Sequence, residues 1–120
     1  MSQQRLKNSI ILHIAYCQDW ETAKNIGFYQ AASLESQGFI HASMPSQMVA
    51  VANKFYKGQQ DLVLLCIDPA LLESEVHYES LGTSEAYPHI YGKVNWEAIV
   101  KVIDFQPDVK GFFRLPEFVA

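Results

Sequence analysis

The sequence contains few cysteines and no excess of basic residues. Its two cysteines, Cys17 and Cys66, stand in apolar surroundings, and the chain has no CxxC pair or other zinc-ligand spacing. Disulfide scaffolds and structural zinc sites are therefore excluded, and buried reduced thiols of a cytosolic protein are expected. Nine Lys and Arg against 13 Asp and Glu give a formal charge of −4, which argues against broad binding to the nucleic-acid backbone.

Long apolar runs and several common enzyme motifs are also absent. Residues 1–8 are polar and do not resemble a signal peptide, and no apolar stretch approaches the roughly 20 residues that span a bilayer. The motifs GxGxxG, GxxxxGK[ST] and GxSxG do not occur, which disfavours Rossmann, P-loop and α/β-hydrolase enzymes. We therefore expect a soluble, cytoplasmic protein without a membrane partner.

What the chain does have is an apolar content suited to one globular core. Hydrophobic residues make up 49% of the 120 residues, and no repeat or linker divides them. A chain of this length buries roughly two-thirds of its unfolded surface, so it needs no metal or disulfide to fold. The sequence predicts a single domain over residues 1–120.

Apolar periodicity predicts an α+β fold. Strands are expected at 9–16, 38–43, 61–67, 76–79 and 99–105, with an ordered turn or short strand at 88–92. The strand at 61–67 is almost continuously apolar, which predicts burial on both faces. Strands outnumber helices and the two do not alternate strictly, so α+β is the best class.

Two main helices are predicted from caps and spacing. Asp19 is placed to cap a helix over residues 20–25 that stops at Gly27. Ser43 is placed to cap a second helix, with Pro45 in its first turn. Apolar residues follow at helical spacing in this second helix and predict its buried face, and these residues are Met48, Val51, Ala52 and Phe55.

Three of the four histidines interrupt apolar segments, and these are His13, His41 and His89. A buried imidazole needs hydrogen-bond partners, and a common polar cleft would supply them for all three rings. Satisfied core histidines remain the alternative. No HxH or i, i+4 pair of histidines occurs, so we expect no metal.

Other polar residues are candidates for the same cleft. Glu79 ends a strand and could orient a histidine or act as a base. Tyr91 offers a phenol for hydrogen bonding or stacking. Ser43 follows His41 by two residues, but a helix cap is its simpler interpretation.

Two motifs carry a resemblance to a known family. Gly38-Phe39-Ile40-His41-Ala42-Ser43, then Glu79, then Pro88-His89-Ile90-Tyr91-Gly92 resemble the pattern of the family catalogued as domain of unknown function 952. Leu12-His13-Ile14, Trp20 and Gln47 match its supporting features, and the resemblance covers about residues 10–106. Tyr87 stands where this family usually has Phe, and Lys93 where Pro is common.

The layout is also similar, more distantly, to the ADP-ribosyltransferase-like fold. This resemblance implies a split or two-sheet β core with two main helices and an NAD-binding cleft. It implies functional positions at His13, His41 and the pair of Glu79 and His89. We take His41, Glu79 and His89 as the catalytic candidates, and His13, Ser43 and Tyr91 as the ligand-binding candidates. The implied ligand is NAD or another nucleotide.

Three functions remain open at this point. The first is an ADP-ribosyl-transfer-like or related nucleotide-processing enzyme. The second is a non-catalytic module that binds a nucleotide or other small molecule, and the third is a structural or interaction domain with core histidines. The sequence leaves the oligomeric state unknown.

Overall fold

The computed structural model describes residues 9–117, which form three helices and eight strands. The helices are α1 (Cys17–Ile26), α2 (Ala32–Gln37) and α3 (Pro45–Phe55). The strands are β1 (Ile11–Tyr16), β2 (Phe28–Tyr29), β3 (Ile40–His41), β4 (Leu62–Ile67), β5 (Glu75–Glu79), β6 (Tyr87–Tyr91), β7 (Val94–Asn95) and β8 (Ile99–Phe105). The polar segment 1–8, where we expect no signal peptide, and residues 118–120 of the predicted 1–120 domain lie outside the described residues.

The strands form three antiparallel sheets, with orders β1-β4-β8, β3-β6-β5 and β2-β7. The α+β class is confirmed. The predicted two-sheet core with two main helices is too simple, because the structure has a third sheet and a third helix. Those additions are a pair of two-residue strands and a six-residue helix, which are too short to leave a periodic signal in the sequence. Among the described residues, none of the helices has the length and apolar character needed to cross a membrane.

The central strand β4 separates two apolar clusters. One face of the β1-β4-β8 sheet packs against the inner face of the β3-β6-β5 sheet, through side chains that include Ile11, Leu65 and Ile90. The other face packs against α3 and the C-terminal segment, through side chains that include Leu64 and Met48. All six residues of β4 are buried, which confirms the predicted burial on both faces.

The predicted helix caps differ from the observed ones. Helix α1 starts at Cys17 directly after β1, so Asp19 lies in its first turn instead of capping it. Pro45 lies in the first turn of α3 as predicted, but the helix begins at Pro45, and its N-cap position is Met44 and not Ser43. The side chain of Gln47 accepts a hydrogen bond from the Met44 backbone N–H at 3.0 Å. Ser43 is instead joined by its backbone to β1. Its hydroxyl forms no hydrogen bond within residues 9–117.

Two motif glycines are explained by their backbone. Gly38 ends α2 at a φ of +90° and leads the chain into β3. Gly92 follows β6 at a φ of +154°, and a Cβ added there would lie 2.9 Å from Ser74 Cβ and closer still to Ser74 Oγ. Both conformations favour glycine, so these residues fix how the chain enters β3 and leaves β6.

Candidate functional site

The β3-β6-β5 sheet brings most of the predicted site residues to one face. His89 on β6 lies between His41 on β3 and His77 on β5 in the strand register. Glu79 is paired with Tyr87 on the neighbouring strands. Because side chains alternate along a strand, Tyr87, His89 and Tyr91 share this face while Ile90 points into the core.

Glu79 and His89 form a hydrogen-bonded pair on this face. His89 Nδ1 and Glu79 Oε1 are 2.8 Å apart, and the Tyr91 hydroxyl donates to the same oxygen at 2.6 Å. The hydrogen bonds from Tyr91 and His89 hold the pKa of Glu79 below its ordinary value, so the group is a carboxylate at neutral pH. A carboxylate only accepts hydrogen bonds, so Nδ1 carries the proton and the neutral ring has its lone pair at Nε2.

The ring of Phe39 packs against both histidines. It stacks on His89 with centroids 4.2 Å apart and meets His41 edge-on at 4.9 Å. His41 Nε2 lies 2.6 Å from Gln37 Oε1, and the two imidazole centroids are 5.5 Å apart. Partial burial and the nearby His89 lower the pKa of His41. The buried phenylalanine therefore fixes the two rings close to each other.

His13 is held from both sides of its ring. Nδ1 donates to the His41 backbone oxygen at 2.6 Å, and Nε2 accepts from the Tyr29 hydroxyl at 2.8 Å. The ring is only 7% exposed, and burial lowers its pKa to about 4. His13 is thus neutral at pH 7, and its contacts fix β1 to the strand that carries His41.

Ser43 is a buried residue that its backbone holds against β1. Its backbone N–H donates to Leu12 O, its backbone oxygen accepts from Leu12 N–H, and both distances are 2.8 Å. The residue is 5% exposed, and within residues 9–117 no hydrogen bond involves its Oγ. His89 is 4% exposed, and no hydrogen bond within these residues involves its Nε2. Because no buried side-chain polar atom among the described residues lacks a partner, both Ser43 Oγ and His89 Nε2 remain accessible.

These residues surround one cleft of about 310 Å³. Its lining includes five of the six predicted site residues, namely His13, His41, Ser43, Glu79 and His89. Tyr91, the sixth, contacts Glu79 but is not part of the lining. The catalytic and ligand-binding roles of all six stay predictions. Among the described residues, no group of three or more His, Cys, Asp or Glu side chains is arranged to hold a metal ion.

Helix α3 and the loop after β5 complete the cleft, and the sequence did not assign these walls. Phe55 was predicted on the buried face of the helix, but it is 63% exposed and lines the cleft with Val51 and Lys54. Gln47 Nε2 donates to Ala86 O at 2.8 Å and to Glu85 Oε1 at 3.1 Å. Gln47 thereby ties the loop to α3. The sequence signal that pointed to Gln47 was its match to a supporting feature of the family pattern.

Comparisons with known proteins agree with this fold. The sequence model of the family described as "Protein of unknown function (DUF952)" matches residues 14–102. The crystal structure of protein CC0527 from Caulobacter crescentus is 28% identical, with a TM-score of 0.80, over 88% of this chain and 94% of that one. Its solution NMR structure is 27% identical, with a TM-score of 0.80, over 93% and 97% of the two chains. Among curated proteins, none matches significantly.

Proposed function

We propose that this chain, which belongs to the DUF952 family of proteins of unknown function, is a nucleotide-processing enzyme of the ADP-ribosyl-transfer type that acts through its cleft. NAD is the proposed donor. One observation carries the proposal: Ser43 Oγ and His89 Nε2, on side chains more than nine-tenths buried, are both without a partner in residues 9–117 and both belong to the lining of one cleft.

Buried polar groups normally have hydrogen-bond partners inside the protein. Among the described residues, no buried side-chain nitrogen or oxygen lacks a hydrogen-bond partner, so Ser43 Oγ and His89 Nε2 keep access to the cleft, where a ligand can bond to them. His13 shows the contrast, because both of its ring nitrogens are bonded within the protein. We therefore assign His13 a positioning role and leave ligand contacts to His41, Ser43 and His89.

The pair of Glu79 and His89 supplies the chemistry. In the proposed reaction the bond between the ribose C1′ and the nicotinamide nitrogen breaks, and its electron pair leaves with nicotinamide. A hydroxyl or amine acceptor forms the new bond to C1′, and its proton passes to His89 Nε2. The Glu79 carboxylate stabilises the resulting imidazolium and the positive charge that develops on the ribose.

The remaining groups have roles that follow from their positions. We assign Ser43 Oγ and His41 Nδ1 to the ribose hydroxyls, because both residues line the cleft. The exposed apolar side chains on α3 and the loop after β5 would be covered by a bound ligand, which would keep water, a competitor of the acceptor, away from the reacting bond. The resemblance to the ADP-ribosyltransferase-like fold supports the choice of NAD, because the same resemblance assigns His41, Glu79 and His89 to the catalytic positions.

The experiment is an assay of nicotinamide release from NAD, followed by chromatography, with and without nucleophilic acceptors. The wild-type chain is expected to release nicotinamide, and His89→Gln is expected to slow this release by about 10²- to 10⁴-fold, the range for loss of a general base. His77→Gln is the matched control, because His77 is beside His89 in register but forms an exposed pair with Glu75.

Two outcomes would contradict the proposal in different ways. NAD that binds without any release of nicotinamide would indicate a nucleotide-binding module. If neither NAD nor ADP-ribose perturbs the NMR signals of His41 and His89, nucleotide binding itself is refuted, and a structural role for the histidines is favoured.

A further inference from the structure

Lys54 stands at the cleft near the end of α3 without a charge partner. It is the only Lys or Arg among the described side chains that line the cleft. Within residues 9–117 it forms no ion pair, in contrast to Lys24, whose Nζ lies 3.0 Å from Glu21 Oε2. The Lys54 Nζ lies 5.3 Å from the centroid of the Phe55 ring. Among the described residues, the cleft therefore offers one positive charge, on an exposed lysine that forms no ion pair.

Glu79 carries the one carboxylate among the described residues that line the cleft, and it does not form an ion pair with Lys54. Glu79 is at the end of β5, and its Oε1 already accepts hydrogen bonds from His89 and Tyr91. The two charges thus belong to different elements, α3 and β5, and each is available to a different part of a ligand. A ligand complementary to both charges has an anionic group for Lys54. At a separate position it has hydroxyls, or a positive charge that develops during the reaction, for Glu79.

Two large apolar side chains flank the same cleft. Phe55 on α3 is 63% exposed, and Leu81 in the loop after β5 is 62% exposed. Exposed apolar side chains grouped around a cleft are typical of ligand-binding surfaces. Side chains of this kind suit a flat, weakly polar ring.

We propose that the cleft recognises its nucleotide through a phosphate at Lys54, with the ring of the ligand against Phe55 and Leu81. This inference rests on the proposed function and specifies its substrate class: the phosphorylated nucleotide, not the free nucleoside. The phosphate is held by a charge-assisted contact that weakens with salt.

The test compares two probes that differ by one phosphate, nicotinamide mononucleotide and nicotinamide riboside. Binding to the full chain is followed by NMR titration at low and at high salt. Wild type is expected to bind the mononucleotide more tightly by on the order of tenfold, with the gap shrinking at high salt. Lys54→Met is expected to remove the gap while leaving riboside binding unchanged.

Lys57→Met is the matched control. Lys57 is on the same segment, but its Nζ lies over the Phe112 ring at 4.3 Å and the residue does not line the cleft. This variant is expected to keep the tenfold gap. Equal binding of the two probes by wild type, or a gap that survives Lys54→Met, would overturn the phosphate inference and leave the proposed function standing. If wild type binds neither these probes nor NAD, both fail.

Discussion

Replacing Glu79 with glutamine is expected to lower the rate of nicotinamide release by about 10²- to 10⁴-fold. The carboxylate fixes the proton of His89 on Nδ1, because Oε1 can only accept the hydrogen bond at 2.8 Å. A glutamine amide can also donate, so the ring can take the opposite tautomer, with the proton on Nε2 and no lone pair towards the acceptor. The charge that stabilises the imidazolium is lost as well.

Glu75→Gln is the matched control for this substitution. Glu75 lies on the same strand and also pairs with a histidine, His77, at 2.9 Å, but both side chains are exposed and neither lines the cleft. This control is expected to retain full activity. Thermal unfolding of both variants separates catalysis from folding. A Glu79→Gln variant as active as wild type would contradict the assigned role of the carboxylate.

Acid is expected to destabilise the protein by about 3 kcal/mol through His13 alone. Burial lowers the pKa of this ring to about 4 in the folded state, against 6.5 for an ordinary histidine. Between these two values the unfolded chain binds more protons than the folded one, so stability rises with pH. The contribution is fully present above pH 6.5 and is lost as the pH falls from 6.5 to about 4.

Urea unfolding at several pH values between 4.5 and 7.5 measures this effect. His13→Leu is expected to flatten the slope, and it also lowers stability at pH 7, since it leaves the Tyr29 hydroxyl unpaired. Direct NMR titration of His13 in wild type gives the same information if that variant does not fold. Protonation of His13 near pH 6.5 in the folded chain would contradict this account.

The larger strands were predictable because each is a run of apolar and β-branched residues long enough to recognise in the sequence. The central strand β4 is apolar at every position, and both of its faces are covered. Short elements were not predictable, because α2 has no apolar periodicity and β2 pairs only two residues with β7. Helix α1 begins earlier than predicted because Cys17 follows β1 without a loop, and a capping pattern at Asp19 does not reveal that continuation.

The candidate site was predictable as a set of residues, but its hydrogen bonds were not. The motifs predicted that His41, Glu79 and His89 belong together, and the strand register explains why they share one face. The sequence could not show that His13 is fully bonded, that Tyr91 lies behind Glu79, or that Phe55 lines the cleft instead of the core. Each of these depends on how the two larger sheets and α3 pack, which no local pattern specifies.

The central claim is that His89 offers Nε2 to a ligand in the cleft while Glu79 holds Nδ1. Correlation of the ring protons with both ring nitrogens, by ¹H–¹⁵N NMR with and without NAD, tests it most directly. The account predicts that neutral His89 carries its proton on Nδ1, and that NAD shifts Nε2 of His89 but leaves His13 and His77 unchanged. A proton on Nε2 of His89, or no shift of its ring nitrogens at high NAD concentration, would contradict it.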